Sequence, residues 1–419
     1  MMDLGSNSDN DGTASNDLSG LARRCVEECT RLASISEGHD RDHIRREIKE
    51  TAKQLYELAS DPDDVVTHDL YWKIHDINAF AYVSRYNVAA AVPVDGSISY
   101  QDLATKTGTG SMHLRRCLRQ LMTIHVFRES SPNQVAHTAA SARLLVNGVK
   151  LYNDYLCRET FKLAAYQLDA IDQWGHDAED PTHTANNFLN KTDKSLFDYY
   201  ATIPGKTKSF FELMAFVSES GAQGNEHLLS GYPWAELGKC TLVDVGGSTG
   251  HCSAAIAKLN QAMDVTVQDL PQVIDQAQGP AGVIPSELAP RIRFMPHNFL
   301  EPQPIQGADV YFLRMILHDW PDSICETILR HITGAMRHKK GAKLIVMDTI
   351  LPMPGEWPSL EERMVRTADL QMGLLFNARE RDLDEWKALF HRADVGLETL
   401  NVVQPKGSQM GIMELQLRG

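Results

Sequence analysis

Three side chains far apart in the chain carry the residue types of a proton-transfer site. His318 follows the apolar run Val310-Tyr311-Phe312-Leu313, in the stretch Arg314-Met315-Ile316-Leu317-His318-Asp319-Trp320. Asp348 closes the run Leu344-Ile345-Val346-Met347, and Glu380 lies in Asn377-Ala378-Arg379-Glu380-Arg381-Asp382. Apolar runs of this kind read as buried strands of an open α/β sheet, whose ligands lie beyond the C-terminal strand ends. If the carboxylates reach His318, one can accept the proton on its second nitrogen and fix the tautomer. The ring can then act as a base near neutral pH. The substrate that suits it is a hydroxyl acidic enough for imidazole to take its proton part-way, a phenol or an enol. A histidine held only for structure is the competing reading of the position taken alone.

A second constellation begins at Leu242-Val243-Asp244-Val245-Gly246-Gly247-Ser248-Thr249-Gly250-His251 and continues into Ser253-Ala254-Ala255-Ile256-Ala257. This is a strand, a tight turn and a helix start. Glycine lets the backbone approach a ligand closely, and the new helix offers unpaired N–H groups. Alone, such a turn is also an ordinary structural corner. Support comes from Asp264-Val265-Thr266-Val267-Gln268, a strand ending in Asp269, with Leu270 and Pro271 after it. An acid about 20 residues on from the glycine turn suits the ribose hydroxyls of an adenosine. The pattern is not the dinucleotide G-x-G-x-x-G, since Ser248 separates Gly246 from Gly250, and no G-K-[ST] phosphate loop occurs. ATP and GTP are therefore poor candidates.

The elements that must position these residues follow from the patterning. Strands are expected at 242–245, 265–268, 292–295, 310–313, 344–347, 397–403 and 410–417, with helices between the first five. Only Gln404 to Gln409 separates the last two, which implies an antiparallel final hairpin on an otherwise parallel sheet. Upstream, Leu18 to Leu58 is helical in character, and Tyr71 to Ala91 reads as one long helix. Ser99 to Gly108 is a capped short helix, and Ser111 caps a helix over Met112 to Ile124. Phe127–Glu129 and Gln134–Thr138 form a hairpin. Helices followed by a hairpin make a winged helix-turn-helix, and Arg115, Arg116 and Arg119 raise DNA binding. A solvated or subunit-contacting helix face accounts for the same arginines. Lys150 to Glu226 is mainly helical. Its Phe210, Phe211, Met214 and Phe216 suit either a core or a flat apolar pocket.

The 419 residues carry 41 basic and 55 acidic side chains, a net charge of −14, which disfavours general binding to nucleic acid or anionic membrane. No apolar run is long enough to span a membrane. Met1 to Asp17 is polar, without the basic start and apolar centre of a secretory signal, and is expected as a disordered tail of a cytoplasmic protein. Seven scattered cysteines read as reduced thiols, and Cys25 with Cys29 lacks a second pair at metal spacing. No metal is expected.

The glycine turn resembles the first motif of S-adenosylmethionine-dependent methyltransferases. The order V-D-V-G-G, Q-D-L-P, H-D-W, R-E-R, from about Tyr71 to the end, resembles plant caffeic-acid-type O-methyltransferases and their fungal relatives. The resemblance implies a Rossmann-like sheet binding S-adenosylmethionine over 236–419, behind a mainly helical, winged-helix dimerisation domain over 18–150 and a substrate-lining helical connector over 151–235. Thr138 and Ser141 match the family's T-x-x-S. His318 stands at the base position, with Asp348 (Glu in the plant enzymes) and Glu380 flanking it. Gly246, Asp269, Leu270, Asn298, Phe299 and Arg314 stand at cofactor positions, with Asn298 where Asp is frequent and Arg314 where Lys is. Asn153, Phe210, Met214, Met315 and Met372 stand at substrate-lining positions. The implied function is methyl transfer to a phenolic or enolic oxygen of a small aromatic or polyketide-type metabolite, by a homodimer. Two alternatives stand beside it. One is a fungal relative in which S-adenosylmethionine serves as a fixed charge in dehydration or pericyclic rearrangement. The other is a winged-helix DNA-binding regulator.

Overall fold

The computed structural model describes residues 11–35, 39–218, 221–279, 282 and 284–418. The chain divides into two compact units. One reaches Leu145 and includes Pro358–Leu360; the other runs from Val146 to Trp357 and resumes at Glu361.

In the first unit the expected tail lies outside the described residues only as far as residue 10. From Asp11 it belongs to the helix Asp11–Ser34, which packs against the helix His39–Ala59. Glu28 on the first accepts from the Thr51 hydroxyl of the second at 3.1 Å. The long helix expected to Ala91 ends at Arg85, because Asn87 turns left-handed at φ 50° before Val88–Ala91. Ser99 caps the helix Tyr100–Thr107 by accepting from the Asp102 N–H, and Gly108 closes it at φ 65°. Ser111 is the first residue of its helix, Ser111–Met122, and not its cap; Gly110 precedes it without a side-chain cap.

β1 (Ile98–Ser99), β2 (Arg128–Ser131) and β3 (Gln134–Ala136) form a small antiparallel sheet in the order β1-β3-β2. Val83, Leu103, Leu114, Leu118, Leu121, Phe127 and Val135 make the core beneath it. The T-x-x-S element is a reciprocal capping box: Thr138 Oγ1 accepts from the Ser141 N–H and Ser141 Oγ from the Thr138 N–H, at 3.2 and 2.9 Å. Arg119 donates to Glu129 at 2.8 Å, and Arg115 and Arg119 both lie 5.9 Å from the Tyr100 ring. Two of the three arginines that suggested DNA are therefore engaged within the unit.

The second unit holds both the helical stretch 151–235 and the sheet. Its strands are β4 (Cys240–Val245), β5 (Met263–Asp269), β6 (Ile292–Pro296), β7 (Val310–Arg314), β8 (Lys343–Leu351), β9 (Arg381–Asp382), β10 (Leu397–Val403) and β11 (Met410–Leu417). The main order is β10-β11-β8-β7-β4-β5-β6. Pairing is parallel from β8 to β6, while β11 is antiparallel to both β8 and β10. The antiparallel final hairpin is as expected. Helices join β4 to β5, β5 to β6 and β7 to β8. The helix expected between β6 and β7 is absent: residues 297–309 contain Pro302, Pro304 and Gly307, which break a helix that short. The chain moves from β4 outward through β5 and β6, then returns to β7 on the other side of β4. That reversal opens a crevice at the C-terminal ends of β4 and β7. Apolar clusters fill both faces of the sheet, one around Tyr311, Leu329 and Trp386, the other around Trp234, Ile256 and Phe312.

Candidate active site

The crevice is built first by the glycine turn after β4. Gly246 adopts φ +75°, and a Cβ there would sit 2.5 Å from Ile316 Cδ1. Only glycine fits both demands. Ser248 is also left-handed, at φ 52°, so the turn keeps a glycine-type conformation where the residue is serine. Its N–H donates to Asp269 Oδ2 at 2.9 Å, and the Leu270 N–H donates to Asp269 Oδ1 at 2.8 Å. Each carboxylate oxygen retains a lone pair for a further donor. Burial pushes the Asp269 carboxyl above its ordinary value. Asp244, beneath the turn, is pushed up to about 6 by burial, against the hydrogen bond it accepts from Ser253 Oγ at 2.6 Å.

The flanks of the crevice come from β6 and β7. Asn298 Oδ1 accepts from the Leu300 N–H at 3.0 Å, which leaves its amide nitrogen for a ligand. Phe299 meets Trp320 edge to face, with ring centroids 5.7 Å apart, and so joins the loop after β6 to the His-Asp-Trp turn. Leu270 is partly exposed. Arg314 donates to Cys252 Sγ at 3.3 Å and to the Gln223 carbonyl. His251 is held neutral, pushed down to about 4 by burial and by the Arg314 cation.

His318 lies in the 3-10 turn Leu317–Asp319 after β7 and is only 8% exposed. Its Nδ1 is 3.0 Å from Glu380 Oε1, and its Nε2 is 3.6 Å from Asp319 Oδ1. Burial opposes the charged imidazolium, but the carboxylates of Asp319, Glu380 and Asp348 outweigh it and push the ring up to about 10. Asp348 is fully buried, and neither of its carboxylate oxygens has a hydrogen-bond partner. Burial pushes it up to about 7, with Glu380 and Asp319 adding and His318 opposing. Asp348 is not at a strand end as expected: β8 continues to Leu351 because β9 pairs with Ile350 and Leu351. The result is three carboxylates around one imidazole, an excess of negative charge that suits a cation.

Phe210 and Met372 are buried in one cluster with Tyr155, Tyr200 and Leu374, and Met214 packs against it. Phe210 lies 6.0 Å from Tyr155 and 5.3 Å from Tyr200, ring to ring. Met315 is set apart from these: it follows β7 at φ 53° and packs on the sheet cluster around Trp234. Asn153 is half-buried on the helix Asn147–Tyr155 and outside the cluster. Sequence reasoning assigned no role to Asp319, Arg381 or Tyr155. Asp319 was readable as the neighbour of His318. The other two acquire their places only through packing, Tyr155 with a buried hydroxyl that finds no partner.

An open sheet with this strand order and final hairpin, and a glycine turn answered by Asp269, are the architecture of a class I methyltransferase that uses S-adenosylmethionine. The chain belongs to the O-methyltransferase family: residues 174–395 match the O-methyltransferase domain, and residues 72–147 match the O-methyltransferase dimerisation domain. It is 38% identical to O-methyltransferase pgmB of Aspergillus terreus over 90% of this chain and 86% of that one. It is 36% identical to O-methyltransferase VdtC of Byssochlamys spectabilis over 88% of this chain and 86% of the relative. Among solved structures, OxaC superposes with a TM-score of 0.79 at 22% identity, covering 97% of this chain and all 100% of that one. LepI in complex with SAM does so with a TM-score of 0.76 at 23% identity, covering 96% and 99%. Among the described residues, no helix is long and apolar enough to cross a membrane. No group of three or more His, Cys, Asp or Glu among them is placed to hold a metal ion.

Proposed function

We propose that the enzyme methylates a phenolic or enolic oxygen of a small aromatic metabolite, with His318 as general base. The observation that carries this is the 3.0 Å contact of His318 Nδ1 with Glu380, which directs Nε2 away from Glu380 as the nitrogen that takes the proton. Gly246, Ser248, Asp269, Asn298, Phe299 and Arg314 would hold the cofactor, which supplies an electrophilic methyl group on a cationic sulphur. In the free enzyme the carboxylates hold His318 protonated; a cation nearby opposes that effect and favours the neutral ring that a base requires. Phe210, Met214 and Met372 supply apolar surface for a flat substrate, and methionine adapts to varied rings. Met315 and Asn153 belong to the same proposal, supported by the resemblance alone.

The proposal includes a homodimer formed through the N-terminal unit, supported by the matched dimerisation domain. It includes a cytoplasmic place of action, supported by seven cysteines that are all free thiols. Incubating the protein with methyl-labelled S-adenosylmethionine and a panel of hydroxylated naphthalenes and anthraquinones tests the reading. The expected result is labelled ether product and S-adenosylhomocysteine in equal amounts, both lost in His318→Ala. Conversion of an acceptor without a gain of methyl would sink it.

A further inference from the structure

The R-E-R element places an arginine on each side of Glu380, and the second of them has no exposed surface at all. Arg381 Nη1 donates to the carbonyls of Leu317 and Arg379, each at 3.2 Å, and Nη2 donates to the carbonyl of Trp320 at 3.0 Å. Nε and Nη2 also reach Asp322 Oδ1, at 2.9 and 2.7 Å. The guanidinium carbon lies 5.0 Å from the Trp386 ring centroid. One planar cation therefore ties down both ends of the turn that carries His318 and Asp319.

Burying a guanidinium costs heavily unless its donors are matched, so the arrangement asks for a reason. Neutralising Asp322 is not that reason. Arg379 and Arg392 already bind the other oxygen of Asp322, at 2.9 and 2.7 Å. What Arg381 alone supplies is charged donors to the carbonyls of Leu317 and Trp320; the first otherwise receives the Trp320 N–H at 3.3 Å and the weak thiol of Cys325 at 3.1 Å, the second only that thiol, at 3.2 Å. Its neighbour Glu380 orients the ring from the other side. Two adjacent residues thus set the same imidazole, one through its backbone turn and one through its Nδ1.

We propose that Arg381 is a positioning residue for His318: it clamps the Leu317–Trp320 turn and so holds the imidazole in register with Glu380. This rests on the reading of His318 as the base, and the test separates the two. Lysine keeps the charge but not the planar fork, so Arg381→Lys is the informative change.

Full-length protein labelled with 15N-histidine is titrated by NMR for the wild type, Arg381→Lys and His318→Gln, the last identifying the His318 signals by their absence. S-adenosylmethionine affinity, measured by calorimetry, stays close to that of the wild type in Arg381→Lys, because the glycine turn and Asp269 are untouched. The His318 titration moves down by about one pH unit, as its contact with Glu380 loosens. Methyl transfer to a dihydroxynaphthalene falls about 10–100-fold. Adding Arg381→Lys to His318→Gln produces no further fall. An unchanged His318 titration, or an equal fall on the His318→Gln background, overturns the proposal. Full activity of His318→Gln overturns the base reading instead and leaves the titration result standing. Should Arg381→Lys fail to fold, Asp322→Asn decides: weakening the anchor shifts the His318 titration in the same direction, and no shift overturns the clamp.

Discussion

His318 Nδ1 and Glu380 Oε1 stand 3.0 Å apart although 62 residues separate them in the chain. The pair joins the turn after β7 to the residue before β9, with Asp348 of β8 buried nearby. The imidazole, the carboxylate against its Nδ1 and a second, buried carboxylate thus come from three different segments of the chain.

Replacing His318 with Ala removes the base and leaves the cofactor crevice intact. Methyl transfer should fall on the order of 10²–10⁴-fold, while calorimetry finds S-adenosylmethionine bound nearly as before. Turnover at the wild-type rate would rule the assignment out.

The pH dependence of stability has a definite sign. His318 is raised to about 10 from its ordinary 6.5, so its contribution is complete below 6.5 and lost as pH climbs through about 10. Asp348, raised to about 7 from 3.8, favours the folded state most below 3.8 and has ceased to do so above about 7. From neutrality to about pH 9 the folded protein should lose stability, by at most about 1.4 kcal/mol per pH unit for one proton. Thermal unfolding of the cofactor-free protein measures it, and the slope should shrink in His318→Gln. An identical slope in both proteins counts against the shared cluster.

Asp348→Asn removes a buried carboxylate that has no hydrogen-bond partner. The amide has the same shape and no charge to desolvate, so the variant should unfold at a higher temperature than the wild type above pH 7. A lower unfolding temperature there would mean that the carboxylate stabilises the fold.

Asp269→Asn keeps the side chain's size but removes the negative charge that answers the Ser248 and Leu270 N–H groups. A hydrogen bond to a charged group contributes roughly 1.5–3 kcal/mol, so affinity for S-adenosylmethionine should fall about 10–100-fold. Calorimetry reads this directly, and an unchanged constant would remove Asp269 from the cofactor site.

Gly246→Ala places a Cβ 2.5 Å from Ile316 Cδ1 in a left-handed conformation. The backbone strain alone is about 1–2 kcal/mol, and the displaced Ile316 lies two residues from His318. Cofactor affinity and methyl transfer should both drop about tenfold or more. The far-ultraviolet circular dichroism spectrum should stay that of the wild type.

Much of this was legible in the residues. Continuous apolar runs announced the strands, the short Gln404–Gln409 link announced the antiparallel hairpin, and the glycine turn was expected where Gly246 and Ser248 stand left-handed. Where local rules were silent or misleading, longer-range contacts had decided. The helix begins at Asp11, seven residues before the expected start at Leu18, and β8 runs past Asp348 because β9 pairs with its end. Phe210 and Met372 share a cluster that Met315 does not join, although all three carried the same expectation.

The sequence by itself determined the class of sheet and the glycine turn, and named the ionisable side chains proposed for proton transfer, because apolar runs, turn chemistry and residue types are properties of short stretches. Tertiary structure alone decided that Asp319 and Glu380 face opposite nitrogens of His318. It also decided that Asp348 is buried without a partner and that Arg381 grips the turn from within. Those facts depend on distances between segments tens of residues apart and on how much water each group loses, which no local pattern encodes.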